Sequence, residues 1–84
     1  MQQYFVKRIP VGTSVEQARQ ALKSEGFNVI TSINQPFQEE GKKFNYLDGQ
    51  RIDGFIFVRM WNVFVFFEEN TVVKIVVETR EVGP

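Results

Sequence analysis

The residues able to do chemistry are few in this 84-residue chain. It has no histidine and no cysteine. That removes the commonest general base, the commonest metal ligand, the thiol nucleophile and the disulfide together. The nucleophile candidates, Thr13, Ser14, Ser24, Thr31 and Ser32, have no histidine to activate them, and no motif marks a lysine as a base. The paired carboxylates, Glu39-Glu40 and Glu68-Glu69, are adjacent in sequence and read as turn and solubility chemistry. Phosphate-binding glycine motifs and a calcium loop are both missing. The reading is therefore no enzyme, with no catalytic, cofactor or metal residue to nominate. A weaker alternative, an enzyme with unrecognised acid/base groups, would need a cleft converging on Arg51, Asp53 and Arg59.

Ten basic side chains balance ten acidic ones. A nucleic-acid binder normally carries a basic surplus or stripe, and Lys7-Arg8 and Lys42-Lys43 are only pairs, so no nucleic acid is expected as a partner. Arg59 and Asn62 interrupt the longest apolar run before it reaches the roughly 18 residues of a membrane span. The start, Gln2-Gln3-Tyr4-Phe5-Val6-Lys7-Arg8, lacks the apolar core of a signal peptide. The protein is expected either to stay where it is made or to be the trimmed domain of an exported protein. A chain of this length is expected to form one domain (1–84) with a thin stability margin.

The elements follow from pattern. Thr13 with Glu16 three residues on reads as a capping box. Val15, Ala18, Ala21 and Leu22 form an apolar stripe. Gly26 and Phe27 then suit a left-handed helix end. The spacing predicts a helix over 14–25. Tyr4-Phe5-Val6 reads as an edge strand or a tail laid on the core. Residues 27–33 alternate as a strand that Asn34-Gln35-Pro36 should end. A short strand at 44–47 is predicted to turn through Asp48-Gly49 into Ile52 onward, and Asp53-Gly54 is a second break. The organising stretch is 55–77, dense in β-branched and aromatic residues. It reads as two strands, about 55–59 and 62–68, or one bent strand, then a hairpin loop whose Asn70 can take a left-handed backbone, and a last strand from Val72.

The predicted fold is α+β: one N-terminal helix (about 14–25) on an antiparallel meander of three to five strands. Val63, Val65 and Phe67 alternate with Phe64 and Phe66, so both faces of that strand are apolar. A single helix covers one face. Val72, Lys74 and Val76 are assigned to the other. Either that second face is exposed and binds a partner, or the N-terminal segment and the Phe37–Tyr46 loop cover it. The candidate partner-binding residues are Trp61, Phe64, Val72, Val76, Phe37, Phe44 and Tyr46. The expected function is a non-enzymatic protein-interaction module using that face or the 35–51 loop, with a protein partner or a homodimer. An apolar small-molecule or lipid pocket lined by Phe55, Phe57 and Leu22 is the alternative.

Two segments carry a resemblance. Ile9-Pro10-Val11-Gly12-Thr13-Ser14-Val15-Glu16-Gln17-Ala18-Arg19-Gln20-Ala21-Leu22 with Gly26-Phe27 is similar to a Gly-Thr-Ser-led helix pattern. Val63-Phe64-Val65-Phe66-Phe67-Glu68-Glu69-Asn70-Thr71-Val72-Val73-Lys74-Ile75 is similar to an apolar hairpin pattern. Together they resemble the small α+β domains of the SmpA/OmlA outer-membrane lipoprotein group and the β-lactamase-inhibitor-protein-like group of bacterial proteins. The resemblance covers about a third of the chain and implies a small non-catalytic binding module, often exported. The chain departs from the lipoproteins in lacking a lipobox cysteine, and has Asn70 where that hairpin often carries glycine.

Overall fold

In a computed structural model, which describes residues 2–37 and 41–82, two helices lie against one four-stranded antiparallel sheet. The order along the chain is α1 (Gln2–Arg8), α2 (Val15–Ser24), β1 (Asn28–Pro36), β2 (Lys43–Asp53), β3 (Val58–Glu68) and β4 (Thr71–Val82). The sheet order is β1-β2-β3-β4, a plain meander.

Tyr4-Phe5-Val6, expected as an edge strand or a tail laid on the core, is instead part of the helix α1. Phe5 and Ile9, four residues apart and so on one side of the turn, are both buried. The Phe5 ring meets Phe27 edge-on at 5.6 Å. Lys7 and Arg8 fall in the last turn, where the helix dipole favours cations.

α2 falls one residue inside the predicted 14–25 at each end, and its cap is one residue later than expected. Ser14, in extended conformation, accepts from the Gln17 amide. The Thr13 hydroxyl instead donates back to the Pro10 carbonyl, because its backbone is held by β4: the Val72 amide donates to the Thr13 carbonyl at 2.8 Å. Glu16 pairs with Arg19 on the outer face. At the far end Gly26 has φ +87°, its amide donates to Lys23 and the Phe27 amide donates to Leu22, closing the helix in the predicted left-handed turn. The stripe Val15, Ala18, Ala21 and Leu22 is buried.

β1 outlasts its predicted end, running to Pro36 through an irregularity between Ser32 and Gln35 where Asn34 takes φ +53°. Its proline is tolerated at the end of an edge strand. β2 corrects the predicted Asp48-Gly49 turn. The strand passes straight through, pairing Asp48 with Phe64 and Gly49 with Val63. Gly49 serves the packing: a Cβ there would stand 3.2 Å from Leu22 Cδ1 and 3.4 Å from Phe27 Cδ2. The real break is at Gly54, whose φ of +111° no side chain accommodates, since a Cβ would lie 2.1 Å from the Phe57 carbonyl oxygen.

The run from 55 to 68 is neither two strands nor one bent strand. Phe55, Ile56 and Phe57 belong to the β2–β3 loop, and β3 runs unbroken through Arg59–Asn62, each paired on both sides. Glu69 and Asn70, at φ +51° and +62°, form the two-residue turn into β4, so the left-handed role expected of Asn70 is present. Beyond it the register slips: Phe67 pairs with Val72 but Phe66 with Lys74, leaving Val73 as a bulge.

That bulge decides the faces. It places Val72 with Ile75 and Val77 under the helices, not with Lys74 and Val76 as simple alternation implied. Both helices lie on this side. The core cluster joins Phe5, Ile9 and the α2 stripe to Leu47, Trp61, Val63, Val65, Phe67, Val72 and Ile75.

Candidate aromatic face and cleft

On the side away from the helices, strand register assembles cross-strand rows. Ile30, Asp48, Phe64 and Val76 form one row, and Ser32, Tyr46, Phe66 and Lys74 the next. Phe37, leaving β1 after Pro36, folds onto them. Its ring meets Phe64 and Phe66 at 4.8 Å each and Tyr46 at 5.6 Å, all near edge-on, the geometry ring quadrupoles favour. Phe44 adds an edge contact to Phe66 at 5.4 Å. The Tyr46 hydroxyl donates to the Pro36 carbonyl, pinning the same corner.

The cover is partial. Phe37 and Phe66 are buried, with Phe66 at 6% exposure, whereas Phe44, Tyr46, Phe64 and Val76 remain half-buried and Ile30 is 59% exposed. The N-terminal segment expected as a second cover lies on the helix side instead. Of the seven candidate residues, five therefore meet on this face: Phe37, Phe44, Tyr46, Phe64 and Val76. Trp61 and Val72 are buried in the opposite core, Val72 because of the bulge and Trp61 because its register puts it beside Arg51 and Thr79 under the helix layer.

At the end of the face nearest the β3–β4 turn, Phe37, Phe44, Phe66, Lys43, Lys74 and Glu68 line a cleft of about 220 Å³. The Lys74 ammonium lies 5.7 Å from the Phe66 ring centre, a cation–π contact. Glu39-Glu40 lie outside the described residues.

The other predicted sites are not assembled. Leu22 is fully buried, while Phe55 and Phe57 project from the β2–β3 loop at 94% and 73% exposure, so those three line no common pocket. Arg51 donates to the Glu25 carbonyl at 2.7 Å, pairs with Asp53 at 3.2 Å and stacks on Phe27. Arg59 pairs with Glu81 and covers Trp61. These guanidiniums brace the open end of the sheet. Arg51 Nε and Trp61 Nε1 are buried without hydrogen-bond partners among the described residues. Among those residues, no His, Cys, Asp or Glu cluster could hold a metal, and no helix is long and apolar enough to cross a membrane.

The exposed apolar surface that sequence reasoning missed is the loop tip Phe55-Ile56-Phe57, which it read as strand. The Asp53-Gly54 break just before it was the available signal. Comparison with protein-family models, curated proteins and solved structures finds no match.

Proposed function

We propose that the protein is a non-enzymatic protein-interaction module that presents the aromatic sheet face around Phe64, Tyr46 and Phe44 to a protein partner. One observation carries this reading. Both helices roof the same side of the sheet, so the opposite side is roofed, among the described residues, by little more than Phe37. A contiguous apolar face left part-open on a small domain is the usual mark of an interaction surface. The resemblance to small non-catalytic binding domains points the same way.

The test compares wild type with Phe64→Glu and Tyr46→Ala in quantitative affinity capture from the native cell, with circular dichroism confirming the fold. A partner retained by wild type and lost by both variants is the expected result. Capture unchanged by either substitution would remove the face from the account.

The cleft favours a second reading, a small apolar or lipid ligand seated on Phe37, Phe44 and Phe66. Its volume lies below the roughly 300 Å³ at which drug-sized pockets begin, so the ligand would be small. Native mass spectrometry of protein purified from its own cell would show the added mass, and Phe44→Trp, which fills the cleft, would abolish it.

A further inference from the structure

The chain treats the two edges of its sheet differently. Along β4 the outer edge is closed by the chain itself. The Gly12 amide donates to the Val72 carbonyl, the Val72 amide to Thr13, and the Val15 amide to Asn70. Further on, the Gln2 side chain bonds to both Ile75 and Val77. Where this cover stops, Glu78, Arg80 and Glu81 put charges on the strand.

The outer edge of β1 pairs with no described segment. Its irregularity at Asn34 and its Pro36 blunt only the far end, and Asn28–Ser32 carries no deterrent of its own. From Gly26 to Phe37 there is no charged residue, and Val29, Ile30 and Thr31 are consecutive β-branched residues. In an antiparallel strand, alternate backbone groups point away from the partner strand, so this edge offers a row of unpaired donors and acceptors. An uncharged, β-branched open edge is a template for another strand.

We propose that β1 pairs antiparallel with β1 of a second copy over Asn28–Ser32, about a two-fold axis at Ile30, forming one eight-stranded sheet. A second copy fits because the segment is self-complementary. The axis sets Ile30 opposite Ile30, Val29 opposite Thr31 and Asn28 opposite Ser32, so no like charges meet along the strands and β-branched pairs face each other. The Arg19 guanidinium that donates to Thr31 is paired with Glu16. The left-handed Asn34 and the Pro36 that follows end the ladder. With β4 closed, the contact is isologous and stops at two chains. This register keeps all helices on one side and joins the two aromatic faces into one surface. The inference rests on the interaction-module reading for the protein's role but uses a different surface, so the two fail separately.

The experiment is light scattering on purified protein across a concentration series, with cysteine cross-linking. The native chain has no cysteine, so single sites report cleanly. Wild type is expected at twice the chain mass and Ile30→Lys at one chain mass. Ile30→Cys should oxidise to a covalent dimer, since directly opposed strand residues fall within disulfide reach. Val73→Cys, 42% exposed but on the closed edge, should not. If Ile30→Lys fails to fold, the contrast between the two cysteine variants decides. A monomeric wild type, a dimer that survives Ile30→Lys, or equal cross-linking at 73 and 30 would overturn the proposal. So would a dimer lost in Phe64→Glu and kept in Ile30→Lys, an outcome that leaves the aromatic face as the interface.

Discussion

The carboxamide of Gln2 sits on Ile75 as a neighbouring peptide unit would. Its Nε2 donates to the Ile75 carbonyl at 2.5 Å, and its Oε1 accepts from the Val77 amide at 2.9 Å. One side chain thus fills a donor and an acceptor position on the β4 edge and fastens α1 to it. Gln2→Ala is expected to destabilise the protein by about 1–2 kcal/mol, two modest hydrogen bonds. Gln2→Glu keeps only the acceptor and should fall between. Urea denaturation gives the magnitude, and faster hydrogen exchange at the Val77 amide localises it.

Gly49→Ala tests the meeting of α2 and β2. Replacing a strand glycine ordinarily stabilises by about 0.5–1 kcal/mol. Here the new methyl meets Leu22, which is fully buried and has no room to retreat. The expected result is a net loss of about 1–3 kcal/mol. Leu22→Ala is costly on its own, but in its background Gly49→Ala should cost less because the space is open, which a double-mutant cycle reads as coupling.

Phe37 is the main roof over the aromatic face. Phe37→Ala should cost roughly 3 kcal/mol, as for other buried phenylalanines. It should also raise binding of an apolar fluorescent dye, because Phe64, Phe66 and Tyr46 lose their cover. Phe37→Leu should restore most of the stability and only part of the shielding.

Alkaline pH should weaken the link between α1 and the end of α2. The Tyr4 hydroxyl donates to Glu25 at 2.6 Å. This hydrogen bond, together with the carboxylate's charge, pushes the phenol above its ordinary 10.0. Folding therefore favours the protonated phenol. The contribution is complete below the ordinary tyrosine range and is lost as pH rises through the elevated folded value. The denaturation midpoint of wild type should fall across that window, and Tyr4→Phe should flatten this share of the fall.

Local chemistry was the legible part of this fold. The α2 stripe, its glycine terminator, the Asn70 turn and the antiparallel meander each rest on residues whose preferences act within a few positions. What escaped needed a distant partner. Asp48-Gly49 looks like a turn until Leu22 is laid over the glycine. Thr13 looks like the cap until Val72 takes its carbonyl. The face of Val72 depends on a bulge that alternation does not encode. Phe55 to Phe57 have the composition of a buried strand, yet the tight turn at Gly54 turns them out to solvent. For the site, the aromatic composition marked Phe37, Phe44, Tyr46, Phe64 and Val76, but only the register showed that these five share a face and that Trp61 and Val72 do not.

The seat of α1 lies on the final strand, and that has a consequence for synthesis. Within this domain α1 can meet Phe27 and Glu25 early, but its partners Ile75 and Val77 on β4 are translated last. Phe5 and Ile9 therefore stay partly unburied until that strand arrives, so the nascent domain's need of chaperone protection lasts until β4 is made.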